Sequence, residues 1–421
     1  MVLHENTELF REVIDAASEY YNYEPSHIEK DYWVSKMLKE VSTSEYGKQA
    51  FFKGGTSLSK AYGIIKRFSE DLDMLAYTGD IHASKNKEKT LNKKICDIII
   101  RNNEDIFKPD LSKTGGNFRK LYFDYDNNFK GVGLKQHLEV EIKACDFPDK
   151  TKIYYPTESR VISPIVGTFL KEIGRQDMVE QFGVEPFAVN CINPRKTICD
   201  KISRLVKLSY RENPIEELSK HIRDLYDLHA ILSVKEYNEF LQSNDFLEAL
   251  YRTTLEDQLM KSSKTDNPLD KAVIFQNTKG ILENPTIQRA YENGLGALFF
   301  TNEKMPEFSE IQKTIENIAE RLVPFEIYRK KRDGEDSECK LVFSSISIYP
   351  NNNNEKAFIR FKVNGEQMSA LELEPKDKLF YENILKEGTR EEKETVRLSL
   401  AEKYYSKDLM FQRDNSQNIK R

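Results

Sequence analysis

Two aspartates separated by one residue, Asp71 and Asp73, follow a paired-glycine turn with two hydroxyls, Gly54-Gly55-Thr56-Ser57. Residues i and i+2 of a strand point the same way, so one short segment presents both carboxylates to a single cation. A glycine turn that opens a helix offers bare backbone amides to phosphate oxygens. Carboxylates suited to Mg²⁺ beside a phosphate cradle imply phosphoryl or nucleotidyl transfer. Alone, a D-x-D at a strand end is more often a solvated pair, and it is the glycine turn that shifts the reading. The turn is not a P-loop, because no G-x-x-x-x-G-K-[ST] occurs.

Further candidates lie downstream. In Leu138-Glu139-Val140-Glu141-Ile142-Lys143 the apolar residues share one strand face and the charged residues the other. Glu141 is the candidate third carboxylate, with Glu139 competing from the same face. Lys201, on a helical segment from Arg195, and Asp224, in His221-Ile222-Arg223-Asp224-Leu225, have the types to meet phosphate charge or orient a partner. Spacing alone does not separate either from an ordinary solvated or paired residue. The six histidines form no ligand cluster, and neither a nucleophile elbow nor a dinucleotide fingerprint is present. Zinc chemistry, triad hydrolysis and dinucleotide binding are therefore poorly supported.

The elements that must position these groups follow from periodicity. Helices are expected over 5–20 and 27–41, the second capped by Ser26. A strand over 49–52 runs into the glycine turn, a helix over 57–65 follows, and 71–75 is extended. A helix over 80–105 precedes strands at 118–125 and 134–144. Helices are expected at 194–208 and 215–232, joined by Arg211-Glu212-Asn213-Pro214, then at 236–260 and 308–322. Strands return at 341–348, 358–363 and 367–373 around Asn351-Asn352-Asn353-Asn354 and the turn signal Asn364-Gly365. The last forty or so residues are charged and helix-like, and the class is α+β.

A chain of 421 residues has room for two or three domains, and 39% apolar with 32% charged residues describes a folded protein with a charged surface. The net charge of −5 means that any nucleic-acid partner must meet a local basic patch. Arg329-Lys330-Lys331-Arg332 is one such run, although a solvated turn is the plainer reading. Five scattered cysteines without a C-x-x-C pair fit free thiols in a reducing cytoplasm. No signal-peptide pattern or membrane-length apolar run is seen, so a cytoplasmic protein away from the membrane is expected.

Three blocks, Ile28-Glu29-Lys30-Asp31-Tyr32-Trp33-Val34, Phe52-Lys53-Gly54-Gly55-Thr56-Ser57-Leu58-Ser59-Lys60 and Arg67-Phe68-Ser69-Glu70-Asp71-Leu72-Asp73, occur in order. They resemble the abortive-infection toxin nucleotidyltransferases of the AbiEii/AbiGii type, within the DNA polymerase β-like superfamily, and the resemblance extends over roughly residues 5–322. It implies a minimal nucleotidyltransferase mixed sheet flanked by helices over 1–190, and a mostly helical domain closing the cleft over 191–323. Residues 324–421 would be a smaller α+β extension that the resemblance leaves without a role. It also implies two Mg²⁺ ions held by Asp71, Asp73 and Glu141, with a nucleoside triphosphate as substrate. Gly55, Thr56 and Ser57 match the phosphate cradle, and Lys53, Gly54, Lys60 and Ser69 fall within the same nucleotide-binding blocks. Lys201 matches the cleft lysine and Asp224 the last acidic motif.

The expected activity is transfer of a nucleoside monophosphate to a hydroxyl of RNA such as tRNA, or of protein, with release of pyrophosphate. The resemblance also implies a toxin of a toxin–antitoxin or phage-defence pair, with an antitoxin as partner. Two alternatives use the same residues: a non-catalytic nucleotide- or partner-binding module, and a kinase that transfers the γ-phosphate.

Overall fold

The computed structural model describes residues 2–78, 85–125, 128–129, 135, 137–144, 156–260, 274–300 and 303–335. Beyond these it describes 341–350, 357–363, 366–367, 371–374, 378, 384, 386–404 and 409–411. The chain divides into two compact units, Met1–Glu256 with Lys271–Leu322, and Asp257–Asp270 with Val323–Arg421.

The first unit is built on a six-stranded mixed sheet flanked by helices, an α+β architecture. Its strands are β1 (Ala50–Lys53), β2 (Leu72–Ala76), β3 (Phe118–Phe123), β4 (Leu138–Ala144), β5 (Thr157–Ile162) and β6 (Phe187–Ile192), in the spatial order β3-β4-β2-β1-β6-β5. Strand β2 runs antiparallel to β1 and parallel to β4, so the strand that follows the glycine turn lies at the centre of the sheet.

One face of the sheet is apolar. Leu138, Val140, Ile142 and Ala144 of β4 are fully buried with Leu72, Met74 and Ala76 of β2 and Leu121 and Phe123 of β3. They pack with buried residues of α1 (Thr7–Tyr21), α2 (Pro25–Ser42) and α4 (Lys85–Asn102), including Phe10, Ile28, Met37 and Ile95. The period-two alternation that buries this face turns Glu139, Glu141 and Lys143 to the opposite one, where they are only partly buried. The charged side chains of β4 are thus presented from a buried apolar backing.

Several boundaries differ from the periodicity reading. Pro25 occupies the first turn of α2, where its missing N–H costs nothing, so Ser26 lies inside the helix and is not its cap. Helix α3 (Gly54–Lys60) begins at the glycines themselves and ends before Gly63, at φ +63°. The expected helix over 215–232 is two, α8 (Pro214–Lys220) and α9 (Arg223–Leu232), and that over 236–260 is α10 (Lys235–Gln242) and α11 (Asn244–Met260). Segments left unread by periodicity form α5 (Ile165–Glu172), α6 (Gln176–Phe182) and the two strands β5 and β6. Helices α7 (Pro194–Ser209), α12 (Ile274–Leu282) and α13 (Pro285–Gly294) complete this part, and α14 (Phe308–Glu335) runs past the expected end at 322.

The second unit contains its own sheet, with β7 (Leu341–Pro350), β8 (Ala357–Val363), β9 (Glu366–Gln367), β10 (Leu371–Leu373) and β11 (Leu409–Phe411). The order is β10-β8-β7-β11, with β9 paired to β8, and a helix over Arg390–Tyr404 precedes β11. Asn351-Asn352-Asn353-Asn354 and Asn364-Gly365 lie outside the described residues.

Candidate active site

Gly54 stands where β1 turns into α3, with φ +79°, a left-handed conformation that glycine adopts without steric cost. A β-carbon at this position would come within 2.3 Å of the Asp73 Oδ2 atom. The absence of a side chain is what lets the turn lie against the carboxylate. Strand pairing sets Lys53 opposite Asp73, and Asp73 in turn opposite Glu141. The aspartate of the central strand is therefore flanked by a lysine on one side and a glutamate on the other.

The Thr56 and Ser57 hydroxyls turn inward. Both residues are buried; Thr56 Oγ1 lies 2.9 Å from Ser69 Oγ and contacts the Asp71 carbonyl, while Ser57 Oγ donates to the Gly54 carbonyl at 2.9 Å. These side chains brace the turn, and what α3 presents at its start is backbone amides with no capping side chain. Lys60, at the far end of α3, pairs with Asp31. The structure thus separates Lys60 from Gly54 by the length of the helix.

On the carboxylate side, two lysines lace the acids together. Lys135 Nζ lies 2.9 Å from Asp71 and 3.0 Å from Glu139, and Lys120 Nζ lies 2.7 Å from Glu139 and 3.0 Å from Glu141. Glu139, which competed with Glu141 for the third acidic position, is the one held by both cations. Opposing its burial, the two ammonium groups hold its carboxyl below the ordinary value. Asp73 has neither lysine. Burial pushes its carboxyl up to about 6, against the pull of Lys53 and with added repulsion from Glu141 and Asp71. Burial likewise raises Asp71, and Lys135 partly offsets it.

Behind Gly55 lies a second charged group of different character. Arg67 makes a two-pronged contact with Asp227, at 2.8 and 2.7 Å, and Lys201 Nζ lies 2.8 Å from the same aspartate and 2.6 Å from Asp224. All four residues are at most 4% exposed. Asp224 Oδ2 also faces Arg204 Nε at 3.1 Å. Although buried, Asp227 is held down to about 2 by Arg67 and Lys201. A β-carbon on Gly55 would fall 3.1 Å from Arg67 Nη2, so this network presses directly on the glycine turn. Arg204 in turn feels the charges of Asp224, Asp200, Asp73 and Asp227, which hold it above its ordinary value despite burial.

The fold thus draws Gly54, Gly55, Asp73 and Glu141 to one edge, with Asp71 alongside and Lys201 and Asp224 joined to it through Asp227 and Arg67. Four residues escaped sequence reasoning: Lys120, Lys135, Arg204 and Asp227. Lys120 was legible in principle, since the alternation of β3 puts it on the charged face opposite Glu141. Asp227 lies three positions after Asp224, hence on the same helix face. Lys135 follows from no periodicity.

Oxygen donors of this kind suit a hard cation such as Mg²⁺, which is commonly held by one or two carboxylates together with substrate phosphates. Among the described residues no group of three or more His, Cys, Asp or Glu side chains is close enough to form a complete metal cage. Asp73, raised by burial and repelled by two neighbouring acids, is the carboxylate whose charge a cation would relieve. The residues present fit such an ion.

A family model described as nucleotidyl transferase AbiEii toxin, type IV TA system, matches residues 36–321. The match begins within α2, just after the Ile28–Val34 block. No curated protein and no solved structure matches the chain.

Proposed function

The chain belongs to the AbiEii nucleotidyl transferase toxin family, and from that premise we propose a Mg²⁺-dependent transfer of a nucleoside monophosphate from a triphosphate to an acceptor hydroxyl, with release of pyrophosphate. The observation that carries the reading is the register of Asp73 with Glu141 beside the glycine turn. Acidic groups and backbone amides meet there at a single point, as a metal-bridged triphosphate requires.

Asp73, with Asp71 or Glu141 beside it, would hold the metal together with substrate phosphates, and the metal would polarise the triphosphate oxygens when bound. The lysine contacts on Asp71 and Glu141 are partly exposed, and such pairs are worth about 0–1 kcal/mol, so they exchange readily for a stronger cation. The Gly54, Gly55 and Thr56 amides face the phosphate chain, and Lys53 adds a positive charge beside Asp73. Glu141 orients the acceptor hydroxyl and takes its proton. Lys201 and Asp224 act as positioning residues: they fix Asp227, which fixes Arg67 against Gly55. The acceptor is RNA, such as the end of a tRNA, or a protein hydroxyl, and a cognate antitoxin is the expected protein partner.

Incubation with each labelled triphosphate, Mg²⁺, total tRNA and protein extract tests the reading. Label should enter one acceptor, and Asp73→Asn or Asp71→Asn should lower that incorporation by at least roughly a hundred-fold, the scale of losing a few kcal/mol of charge stabilisation. Undiminished labelling by both variants would sink the mechanism.

A further inference from the structure

At the C-terminal end of α3, the first unit holds a partly open cavity of about 220 Å³. Pockets for drug-sized ligands run from about 300 to 1,000 Å³, so this one has room for a single heterocycle and not for a whole nucleotide. Its walls are aromatic. His27 stacks on Phe68, with ring centres 4.1 Å apart and an interplanar angle of 13°. Phe300 meets Phe68 edge-on at 4.5 Å and stacks with Tyr23 at 5.2 Å.

The charges that line the cavity cancel. Lys60 pairs with Asp31, and Lys30 lies 3.6 Å from Glu70. Two cations and two carboxylates, each satisfied by the other, leave no net positive field for a phosphate. Among the described residues that line the cavity, one buried side-chain polar atom lacks a hydrogen-bond partner: Nε2 of His27, a residue that is 3% exposed. A buried polar atom without a partner is costly unless a ligand supplies one. Burial lowers this histidine to about 4, against a weaker opposing effect of Glu70, so at neutral pH the ring is uncharged, with one donor and one acceptor nitrogen.

The cavity also communicates with the carboxylates. Ser69 lies on its wall and meets Thr56 of the glycine turn. Glu70, on the same wall, accepts from the Lys135 backbone N–H at 2.8 Å, and the Lys135 ammonium sits on Asp71. A ring held here is one residue away from the carboxylate pair along the chain. The Ile28–Val34 block, which the catalytic reading leaves without a task, supplies Lys30, Asp31 and Val34 to this lining.

We propose that this cavity is a nucleobase subsite, in which one purine or pyrimidine ring packs against the aromatic walls and pairs its polar edge with His27 Nε2. The proposal rests on the nucleotide-transfer reading for its link to Asp71, and the base belongs either to the triphosphate or to the terminal nucleotide of an RNA acceptor.

Calorimetric titration of the full chain with adenosine, guanosine, cytidine and uridine, without metal, tests the subsite apart from the transfer chemistry. At least one nucleoside should bind at millimolar concentration or below. His27→Phe, which keeps a ring on Phe68 but removes the nitrogen, should weaken that binding ten-fold or more. Phe300→Leu, at a partly exposed wall, should weaken it as well and serves if the His27 variant does not fold. Adding the matching triphosphate with Mg²⁺ separates the sources: displacement of the nucleoside assigns the cavity to the donor base, and simultaneous binding assigns it to the acceptor. Failure of all four nucleosides to bind, or equal affinity in the His27 and Phe300 variants, overturns the subsite. Triphosphate-dependent labelling that persists in that case would leave the transfer reading standing without it.

Discussion

The carboxylates along β2 and β4 and the carboxylates of α9 are separated by little more than the glycine turn, yet their surroundings are opposite. Asp71, Asp73 and Glu141 are partly exposed and crowded by like charge; Asp71 and Glu141 each meet one partly exposed lysine, and Asp73 has only the more distant pull of Lys53. Asp224 and Asp227 are buried, and each meets two cations. The first group has fewer cations in contact than carboxylates, and the second has its carboxylates paired; under the proposed function only the first would gain from an incoming cation. The comparison separates a partly exposed, acid-rich group from a buried, paired network, although both are built from acidic and basic side chains.

The sharpest test removes one partner from the buried network. Asp227→Ala leaves the Arg67 guanidinium and the Lys201 ammonium short of their shared counterion, and should cost about 3–5 kcal/mol of stability in denaturant unfolding. A loss below 1 kcal/mol would erase the distinction between the two regions. At the turn between them, Gly54→Ala forces a side chain into a left-handed backbone and against Asp73. It should cost about 1–2 kcal/mol by unfolding, and should lower transfer further than that strain alone explains.

Acidity sharpens the comparison because the two aspartates move in opposite directions. Asp227 is depressed to about 2, so the stability it contributes is present above about pH 4 and is lost as pH falls toward 2. Asp73 is raised to about 6, so its native state binds the proton more readily than the unfolded chain does. Stability linked to Asp73 therefore falls as pH rises from about 4 to about 6. Unfolding curves of the native chain and Asp73→Asn should diverge across that window, with the variant relatively more stable above it. Parallel curves would show that Asp73 is not under-neutralised. The smallest effect belongs to Lys135, whose ammonium is exposed: Lys135→Met should change stability by less than about 1 kcal/mol, and any such change should shrink with added salt.

Legibility followed the range of the interactions. Gly54, Gly55, Asp71 and Asp73 were readable because turn chemistry and strand periodicity act over a few residues. Glu141 was readable as one of two choices, since alternation fixes its face but not its neighbour. The parallel register of β2 with β4 sets Glu141 opposite Asp73, whereas Glu139 meets both Lys120 and Lys135. The break between α8 and α9 was not read from periodicity, nor were the contacts of Asp224 and Asp227 with Lys201 and Arg67, which lie on other elements. Likewise, Thr56 and Ser57 have the right type for a phosphate cradle, and only packing turned their hydroxyls inward.

By itself, then, the sequence determined the α+β class, the apolar and charged faces of β4, the glycine turn and the aspartate pair. Each of these is set by local backbone sterics or by a two- or four-residue period. The tertiary structure decided which carboxylates are buried in ion pairs and which are partly exposed. Charge neutralisation depends on distances of about 3 Å between groups that the chain places up to 160 residues apart, as with Arg67 and Asp227.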